Sequence, residues 1–310
     1  MNSVRKALKD YLALRRALGY KLILDGALLR RFVDFLQQEG ASHVTIALAV
    51  RWAQQPPDIQ PSQAAHRLTF VRGFARYLSA IDPRTEVPPV GLLPRQFKRL
   101  TPYIYSEDEI HRLLAAAQEL PSSAGLRPWT YSTFLGLLVV TGLRVGEAIR
   151  LQRDDVDVWQ GVLRIRQSKF GKDRFVPLHP STVQALLRYT RQRNEPFPLT
   201  AYPHFFLSDR GKPLLYRVVL STFVKLSHHI GIRDPSASRG PRLHDLRHSF
   251  AVKVLLGWYR SGMDVERLLP VLSTYLGHGH VTDTYWYLSA VPELLALTAA
   301  RLEKRWEVSQ

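Results

Sequence analysis

The chain has 310 residues, of which 45% are hydrophobic and 22% charged, so it is long and apolar enough for two domains with buried cores and is not a wholly disordered chain. Its formal net charge is +17, with 16 Lys and Arg against 7 Asp and Glu in residues 1–100 and 27 against 19 in the rest. Both parts are therefore basic and predict a polyanionic partner, of which nucleic acid is the usual one. It has no cysteine, which excludes disulfides and thiolate metal sites. It has neither the apolar core of a signal peptide nor a run of about 18 apolar residues. We therefore expect a cytoplasmic protein that does not cross a membrane.

Four helices are predicted in residues 1–82, where apolar residues recur at helical spacing. They cover residues 4–19, 22–40, 44–54 and 61–79, and Gly19, Gly40 and the Pro56-Pro57 pair are the predicted stops. The first helix carries an apolar stripe made of Val4, Leu8, Tyr11, Leu12 and Leu14. We therefore predict a helical domain over residues 1–82.

The fourth predicted helix carries a row of three arginines, Arg67, Arg72 and Arg76, beside its apolar stripe. These side chains can lie along the phosphates of DNA. The alternative is a solvated helix face, and taken alone the row favours that alternative.

Residues 83–104 interrupt the helical pattern with five prolines, which lack the backbone donor that a helix needs. Basic residues are interspersed with them, including Arg95, Lys98 and Arg99. The composition predicts a linker between domains that follows the phosphate backbone of DNA.

A second domain is predicted over residues 105–310. It begins with a capping box, in which Ser106 is followed three residues later by Glu109, and continues with an apolar helix that ends at Gly142. Strand-forming residues between 156 and 176, with glycine turns, predict a three-stranded antiparallel sheet. Helices are predicted over 181–193, 213–231, 242–258, 264–275, 280–288 and 291–307. The expected fold is mainly α with this small antiparallel sheet.

Arg144 stands in the string TGLRVGE at the start of a predicted helix. A positive charge there opposes the helix dipole, so a role other than helix stability is indicated. A guanidinium matches phosphate oxygens bidentately, and Glu147, one turn later, can hold it in place. The alternative is an ordinary surface ion pair.

His244 and Arg247 stand in the string HDLRHSF. Because they are three residues apart, they face the same side of a helix. Together they suit a developing negative charge and a proton transfer. His248 lies one turn from His244 and is a competing candidate, and a helix with basic surface groups is the alternative explanation.

Lys169 lies in the string QSKFGKDR, which is the predicted loop between two strands. A hairpin loop can enter a DNA groove, where an ammonium group can protonate a departing 5′-oxygen. Lys172 is the rival for this role, and Lys172 and Arg174 are candidate DNA contacts. A solvated hairpin lysine is the alternative.

His278 and Tyr287 stand nine residues apart in the string LGHGHVTDTYWY. A phenol can serve as a nucleophile toward a phosphodiester. Tyr285 competes for this role, but two residues along a helix turn a side chain to a different face, so only one of the two tyrosines can meet the arginines. A tyrosine packed in the core is the alternative for either.

The ordered set of strings resembles the tyrosine recombinase (phage integrase) superfamily over about residues 105–295. The family places an arginine in T-G-L-R-x-x-E, a lysine on a β-hairpin, H-x-L-R-H on a helix, and L-G-H followed nine residues later by a tyrosine. Here those positions are Arg144, Lys169, His244, Arg247, His278 and Tyr287, and Glu147 matches the acidic neighbour of the first arginine. Residues 285–295 depart from the family's usual ending, which keeps Tyr285 open as the nucleophile.

The resemblance implies a helical, DNA-clamping N-terminal domain and a mixed α/β catalytic domain. It implies that Tyr287 attacks a DNA phosphate and forms a 3′-phosphotyrosyl link, with Arg144 and Arg247 stabilising charge, His278 and His244 assisting, and Lys169 as the general acid. No metal, ATP or other cofactor is expected. The implied partners are double-stranded DNA with a specific site and further copies of the chain, in a tetramer on two duplexes. The helix over 291–307 is the candidate for docking on a neighbouring copy, and accessory proteins are compatible with this scheme.

Three other functions compete with site-specific recombination. A type IB topoisomerase shares the chemistry but only relaxes supercoils. A relative that has lost catalysis binds DNA without cleaving it. An RNA-binding protein is the third, but no strand pattern predicts a sheet studded with aromatic residues of the kind on which RNA bases stack.

Overall fold

The computed structural model describes residues 2–20, 22–94, 101–166, 173–198, 200–237, 239–288 and 292–308. The side chains of residues 2, 23, 302, 304, 305, 307 and 308 are not part of that description. The chain divides into two compact units, residues 1–100 and residues 101–310. The described elements are mainly helices with one small antiparallel sheet, which confirms the predicted fold class.

The first unit contains four helices: α1 (Asn2–Ala17), α2 (Ile23–Gln38), α3 (Ile46–Gln54) and α4 (Pro61–Ser79). Its centre is aromatic, with the rings of Phe32 and Trp52 in an edge-to-face arrangement at 5.1 Å between centroids and the ring of Tyr11 of α1 5.6 Å from that of Phe74 of α4. The helical spacing of the apolar residues in α1 includes Leu14, but this side chain is 49% exposed. Its position, two residues after Leu12, turns it away from the face that α1 packs on the bundle.

Residues 83–94, which the prolines predict as part of a linker, are tied to the first unit. The backbone N–H of Glu86 donates to the carbonyl of Val44 at 2.8 Å, and the Glu86 carboxylate accepts from the backbone N–H of Ile46 at 2.6 Å. Arg72 donates to the carbonyls of Pro88 and Pro89 at 2.7 and 2.8 Å. Proline has no N–H, but its carbonyl still accepts hydrogen bonds. A proline-rich segment can therefore be held by donors from other parts of the fold, here the side chain of Arg72.

The second unit contains nine described helices and the sheet. The helices are α5 (Glu107–Gln118), α6 (Leu126–Thr141), α7 (Val145–Arg150), α8 (Pro180–Asn194), α9 (Tyr216–His229), α10 (Leu243–Arg260), α11 (Val265–Leu276), α12 (Thr282–Tyr285) and α13 (Pro292–Val308). The antiparallel strands are β1 (Val156–Asp157), β2 (Val162–Ile165) and β3 (Arg174–Pro177), in the order β1-β2-β3. Arg174, the first residue of β3, pairs with Ile165, the last residue of β2.

Helix α6 lies at the centre of the second unit and packs against α5, α8 and α10. It ends at Gly142, whose φ of +59° is the left-handed conformation that glycine adopts without strain. A Cβ at this position would lie 2.5 Å from the ring of Phe250 on α10. The close approach of the end of α6 to α10 brings the backbone of Gly142 next to the face of α10 that carries Arg247.

Helix α13, the candidate for docking on another copy, packs on its own chain. Leu294 is fully buried, Thr298 donates to the hydroxyl of Tyr259 at 3.2 Å, and Arg260 pairs with Glu293 at 2.5 Å. Arg301 donates to the carbonyl of Met263 at 2.6 Å. In the single chain, α13 is therefore a partner of α10. Within the described ranges, no helix combines the length and the apolar character needed to cross a membrane.

Candidate active site

The C-terminal end of α11 gathers three arginines. Three consecutive backbone carbonyls, those of Tyr275, Leu276 and Gly277, accept hydrogen bonds from Arg174, Arg247 and Arg144 at 2.8, 2.7 and 2.8 Å. The last carbonyls of a helix have no partner within the helix and carry the negative end of its dipole. A helix end is therefore a natural anchor for cations, and here it brings together side chains from three distant segments.

Glu147 neutralises two of these arginines from the opposite side. Its carboxylate accepts from Arg144 at 2.9 Å and, bidentately, from Arg174 at 3.0 and 2.8 Å. Burial by itself would raise the pKa of Glu147, but the hydrogen bonds and charge of Arg174, followed by those of Arg144, lower the pKa to about 2. The carboxylate is therefore ionised and holds the Arg144 guanidinium in one orientation.

Arg247 is buried, with only 2% of its surface exposed. It donates to the carbonyl of Gly142 at 2.8 Å and to that of Leu276 at 2.7 Å, so it connects the ends of α6 and α11. Burial, and then the charge of Arg144, lower the pKa of Arg247 to about 10, while the nearby Tyr287 and Glu147 act in the opposite direction. The group remains charged at neutral pH and is held by neutral carbonyls, which leaves its positive charge available to an anion.

Tyr287 is 2% exposed and lies in a cluster of rings. The ring of His278 stacks on it at 6.0 Å, and the rings of His248 and Trp286 lie 5.4 and 5.6 Å away. Nδ1 of His278 is 2.7 Å from the hydroxyl of Thr284, a fully buried side chain on α12. The short helix α12 thus sets the orientation of His278 against the tyrosine.

His244 stands at the edge of the same cluster, with its ring 4.8 Å from that of His248. More than a third of the residue is exposed, but the protein around the ring removes water from it. This desolvation, followed by the positive charge of Arg247, lowers the pKa of His244 below its ordinary value of 6.5. The imidazole is therefore neutral at neutral pH and can accept a proton.

The structure brings together five of the six residues predicted as catalytic, together with Glu147. These are Arg144, His244, Arg247, His278 and Tyr287. Lys169 lies outside the described residues, as do Lys172, Arg95, Lys98 and Arg99. The competing nucleophile Tyr285 is 51% exposed, whereas Tyr287 is the tyrosine that lies in the ring cluster.

The remaining predicted DNA contacts differ in their surroundings. Arg67 is half-buried, donates to the carbonyl of Trp52 at 2.7 Å and lies 4.0 Å above the ring of that residue. Arg72 is held by the carbonyls of residues 88 and 89. Arg76 is exposed, so it is the member of this row whose side chain remains directed to solvent.

Arg174 has a place in the site that the sequence reasoning did not assign to it. Its position after a hairpin loop predicts a DNA contact, but its side chain is only 9% exposed and donates to Glu147 and the Tyr275 carbonyl. The backbone of residues 275–277 was also missed as an anchor. The predicted end of the helix over 264–275 is the signal that could have indicated it, because the last carbonyls of a helix have no partner within the helix.

Metal coordination has no candidate ligand cluster in the described ranges. Nowhere in residues 2–20, 22–94, 101–166, 173–198, 200–237, 239–288 and 292–308 do three or more His, Asp or Glu side chains form a group that could hold a metal ion. The prediction of metal-independent chemistry stays a prediction.

Comparisons with known proteins agree on one family. Residues 104–293 match the phage integrase family. The Sinorhizobium fredii (strain NBRC 101917 / NGR234) protein y4rB, provisionally named an integrase/recombinase, is 49% identical over 311 residues, which is 99% of each chain. Tyrosine recombinase XerC of Chlorobaculum parvum is 32% identical over 248 residues, covering 74% of this chain and 69% of the relative.

A similar fold is found in a lambda integrase tetramer bound to a Holliday junction. The TM-score is 0.64, and the match covers 91% of this chain and 76% of that chain. The sequence identity is 19%, so this likeness concerns the fold alone.

Proposed function

The chain belongs to the phage integrase family, and we propose that it is a site-specific DNA recombinase that cleaves and rejoins strands through a phosphotyrosine on Tyr287. One observation carries the proposal. The buried Tyr287 stacks on His278 and lies close enough to Arg247 to influence its pKa, while Arg247 and Arg144 are held by adjacent carbonyls of one helix end. A phenol, an imidazole and two guanidinium groups thus lie together in one region of the second unit, and these are the groups that phosphoryl transfer to a tyrosine requires.

The proposed first step is a transfer of the phosphoryl group to the tyrosine. The phenol oxygen of Tyr287 bonds to phosphorus as the bond from phosphorus to the 5′-oxygen breaks, which leaves a 3′-phosphotyrosyl link and a free 5′-hydroxyl. The proton of the phenol passes to a base, and the neutral imidazole of His244 suits that role. Lys169 is proposed to give the departing 5′-oxygen its proton, as the family resemblance implies.

In this scheme, the arginines and His278 stabilise the negative charge of the transition state. Arg144 and Arg247 are oriented before DNA binds, so little reorganisation is needed when negative charge builds up on the phosphate oxygens. If the Thr284 hydroxyl donates to Nδ1 of His278, the ring carries its proton on Nε2, which is the donor a phosphate oxygen requires. Rejoining reverses the steps, with a 5′-hydroxyl as the attacking group. The link conserves the bond energy, so the scheme requires no ATP.

The site is closed in this structure. Tyr287 and Arg247 are each only 2% exposed, and a phosphate in duplex DNA is too large to reach them in that state. We propose that DNA binding moves the segment containing α12 and Tyr287 relative to α10. Such a requirement would keep the nucleophile from reacting without its substrate.

The proposed partners are duplex DNA carrying a specific site and other copies of this chain. A lambda integrase of similar fold is a tetramer on a Holliday junction, and the two units of this chain carry net charges of +9 and +8 on residues 1–100 and 101–310. We propose the same assembly here, with four protomers on two duplexes. The positive charge of both units favours binding to the phosphate backbone.

A pool of nicked duplexes with randomised sequence tests the proposal. The nick lets the short fragment with the free 5′-hydroxyl diffuse away after cleavage, so the covalent adduct cannot be rejoined. The trapped adduct survives denaturing electrophoresis. We expect the wild-type protein and Tyr285→Phe to form the adduct, and Tyr287→Phe to form none. The DNA recovered from the adduct identifies the preferred sequence.

Three outcomes would contradict the proposal in different ways. An adduct that persists in Tyr287→Phe but disappears in Tyr285→Phe would reassign the nucleophile. Relaxation of supercoiled plasmid without sequence preference, and without strand exchange, would indicate a topoisomerase. Tight binding to a selected duplex without any adduct would indicate a DNA-binding relative that has lost catalysis.

A further inference from the structure

Arg174 lies directly after the hairpin loop, at the start of β3, but its guanidinium is directed into the protein. All three nitrogens donate within the chain, Nε to the Tyr275 carbonyl at 2.8 Å and the two Nη atoms to the Glu147 carboxylate at 3.0 and 2.8 Å. We propose that Arg174 is a positioning residue for strand cleavage, which aligns Arg144 and the segment before His278. This inference rests on the proposed function and extends it to a residue without a direct part in the chemistry.

The first link in the argument runs through Glu147. Its carboxylate binds Arg144 and Arg174 together, and Glu147 also accepts from the backbone N–H of Arg144 at 3.0 Å. With Arg174 in place, one carboxylate oxygen is shared between the two guanidinium groups and the other is shared between Arg174 and the Arg144 backbone. Without Arg174, the carboxylate is free to rotate toward Arg144, and the Arg144 guanidinium loses the orientation that places it on the Gly277 carbonyl.

The second link runs through Gly277. A Cβ at this position would lie 2.9 Å from Nη1 of Arg174 and 3.0 Å from its Cζ, so the guanidinium fills the space beside the glycine. Gly277 also has a φ of +68°, which an L side chain adopts only with strain. Arg174 thus packs directly on the residue before His278 and limits how that segment can move.

The sheet makes Arg174 a firm anchor for both links. Its Cα is paired with Ile165 in the antiparallel register of β2 and β3, and Ile165 is 2% exposed. The guanidinium is therefore attached to a strand of the core, while Arg144 and His278 stand at a helix start and in a loop. A residue that contacts the reacting groups without reacting can hold them in place when its own side chain is fixed by packing.

Arg164 is a matched control on the same sheet. It lies on β2, its side chain is 49% exposed, and it pairs with Asp173 at 2.9 Å. Replacing it removes an arginine of equal charge within one ladder position of Arg174. The hydrogen bonds described for Arg164 go to Asp173 and not to Glu147 or the end of α11. An effect that the Arg174 substitutions have and Arg164→Ala lacks is therefore caused by the position of Arg174 and not by the loss of one positive charge.

The experiment compares Arg174→Ala, Arg174→Lys and Arg164→Ala with the wild type. Single-turnover cleavage is measured on a nicked duplex recovered by the randomised selection, with either a phosphodiester or a neutral methylphosphonate at the cleaved position. We expect Arg174→Ala to cleave the phosphodiester on the order of 10²-fold more slowly, the loss typical of misaligned reacting groups. The loss should be smaller on the methylphosphonate, since a neutral group depends less on aligned cations, and Arg174→Lys should recover part of the rate.

Binding and thermal stability distinguish this role from its alternatives. We expect the affinity for the duplex and its salt dependence to be unchanged in Arg174→Ala and Arg174→Lys. A weaker affinity with a salt slope reduced by about 1 would instead show that Arg174 contacts a phosphate. Equal losses on both substrates that follow the melting temperature would show a structural role only, and a cleavage rate equal to that of Arg164→Ala would also overturn the proposal.

Hydrogen exchange without DNA separates this inference from the proposed function. The backbone N–H groups of Gly277 and His278 donate to the carbonyls of Thr274 and Ser273 at 2.9 and 3.0 Å. We expect both amides to exchange faster in Arg174→Lys and to be unchanged in Arg164→Ala. Unchanged exchange in Arg174→Lys would contradict the positioning role. A wild-type protein that forms no adduct with any duplex would refute the proposed function. The exchange result would then still show whether Arg174 holds the segment before His278 in place.

Discussion

The two units of the chain use arginine differently, although both attach it to backbone carbonyls. In the first unit, Arg67 binds the carbonyl and the ring of Trp52, and Arg72 binds the carbonyls of two prolines. Each of these arginines secures one local feature, a helix contact or an irregular segment. No carboxylate pairs with either of them among the described residues.

In the second unit, three arginines from different segments meet at the end of α11. Arg144 and Arg174 share the buried carboxylate of Glu147, and Arg247 is held by carbonyls alone. The comparison indicates that the role of an arginine depends on how many other arginines lie at the same place. Separate arginines stabilise the fold, whereas convergent arginines create a positive site that an anion can occupy.

The strongest test of this contrast is Arg247→Ala. We expect strand cleavage to fall by about 10³-fold, because a preoriented donor to the transition state is lost. The free energy of unfolding should also fall, by roughly 3 kcal/mol, because the buried carbonyls of Gly142 and Leu276 lose their donor. Single-turnover cleavage and urea denaturation measure the two effects.

Arg72→Ala is the counterpart in the first unit. We expect it to lower the free energy of unfolding by only about 1 kcal/mol, because Pro89 is exposed and water can replace the lost donor there. Cleavage of bound DNA should not change. A loss of cleavage in Arg72→Ala comparable to that of Arg247→Ala would remove the distinction between the two units.

Acid should weaken the second unit through Glu147. Its pKa is lowered from 4.5 to about 2 in the folded protein, so its ionised form stabilises the fold above pH 4.5, and this stabilisation is lost as the pH falls toward 2. A shift of that size corresponds to roughly 3 kcal/mol of unfolding free energy. We expect the melting temperature of the wild type to fall through this pH range, as measured by circular dichroism.

Glu147→Gln supplies the control for the acid effect. It should be less stable than the wild type at neutral pH, because two arginines lose their buried counter-charge. It should also lose less stability than the wild type between pH 4.5 and 2, since the titrating group is gone. An acid dependence identical to that of the wild type would show that other carboxylates govern this range.

The smallest expected effects separate Arg76 from Arg67. Arg76 is exposed on α4, so Arg76→Ala should weaken DNA binding, lower the salt slope by about 1 and leave stability unchanged. Arg67→Ala should lower the free energy of unfolding by about 1 kcal/mol through the loss of its contact with Trp52, with little effect on binding. Binding at several salt concentrations and thermal denaturation decide between these roles, and the reverse pattern would contradict the assignment.

Much of the fold could be predicted from local patterns. Glycine and proline stops place the ends of α1, α2 and α3 within two residues, and the capping box of Ser106 and Glu109 begins α5 as expected. These signals act within a few residues, so a linear sequence contains them completely. Leu14 shows the limit, because the same spacing that identifies a helix does not say how wide its buried face is.

The candidate site was predicted in its residues but not in its connections. Motif spacing and family resemblance singled out Arg144, His244, Arg247, His278 and Tyr287, and the structure places them together. They did not indicate that backbone carbonyls anchor the arginines, because a carbonyl has no residue type to recognise. They also directed Arg174 outward, since its position beside a hairpin loop is the same for a DNA contact and for an internal ion pair.

The helical fold class, the positive charge of both units and the kinds of side chain available for phosphate chemistry can be read from the amino-acid sequence, because they follow from composition and from neighbours in the chain. The connection of the end of α11, the carboxylate of Glu147 and the guanidinium of Arg174 into one network is visible only in the folded protein. Its hydrogen bonds join residues up to 133 positions apart. Contacts over such separations depend on how α6, α10, α11 and β3 pack against one another, and that packing is a property of the folded chain as a whole.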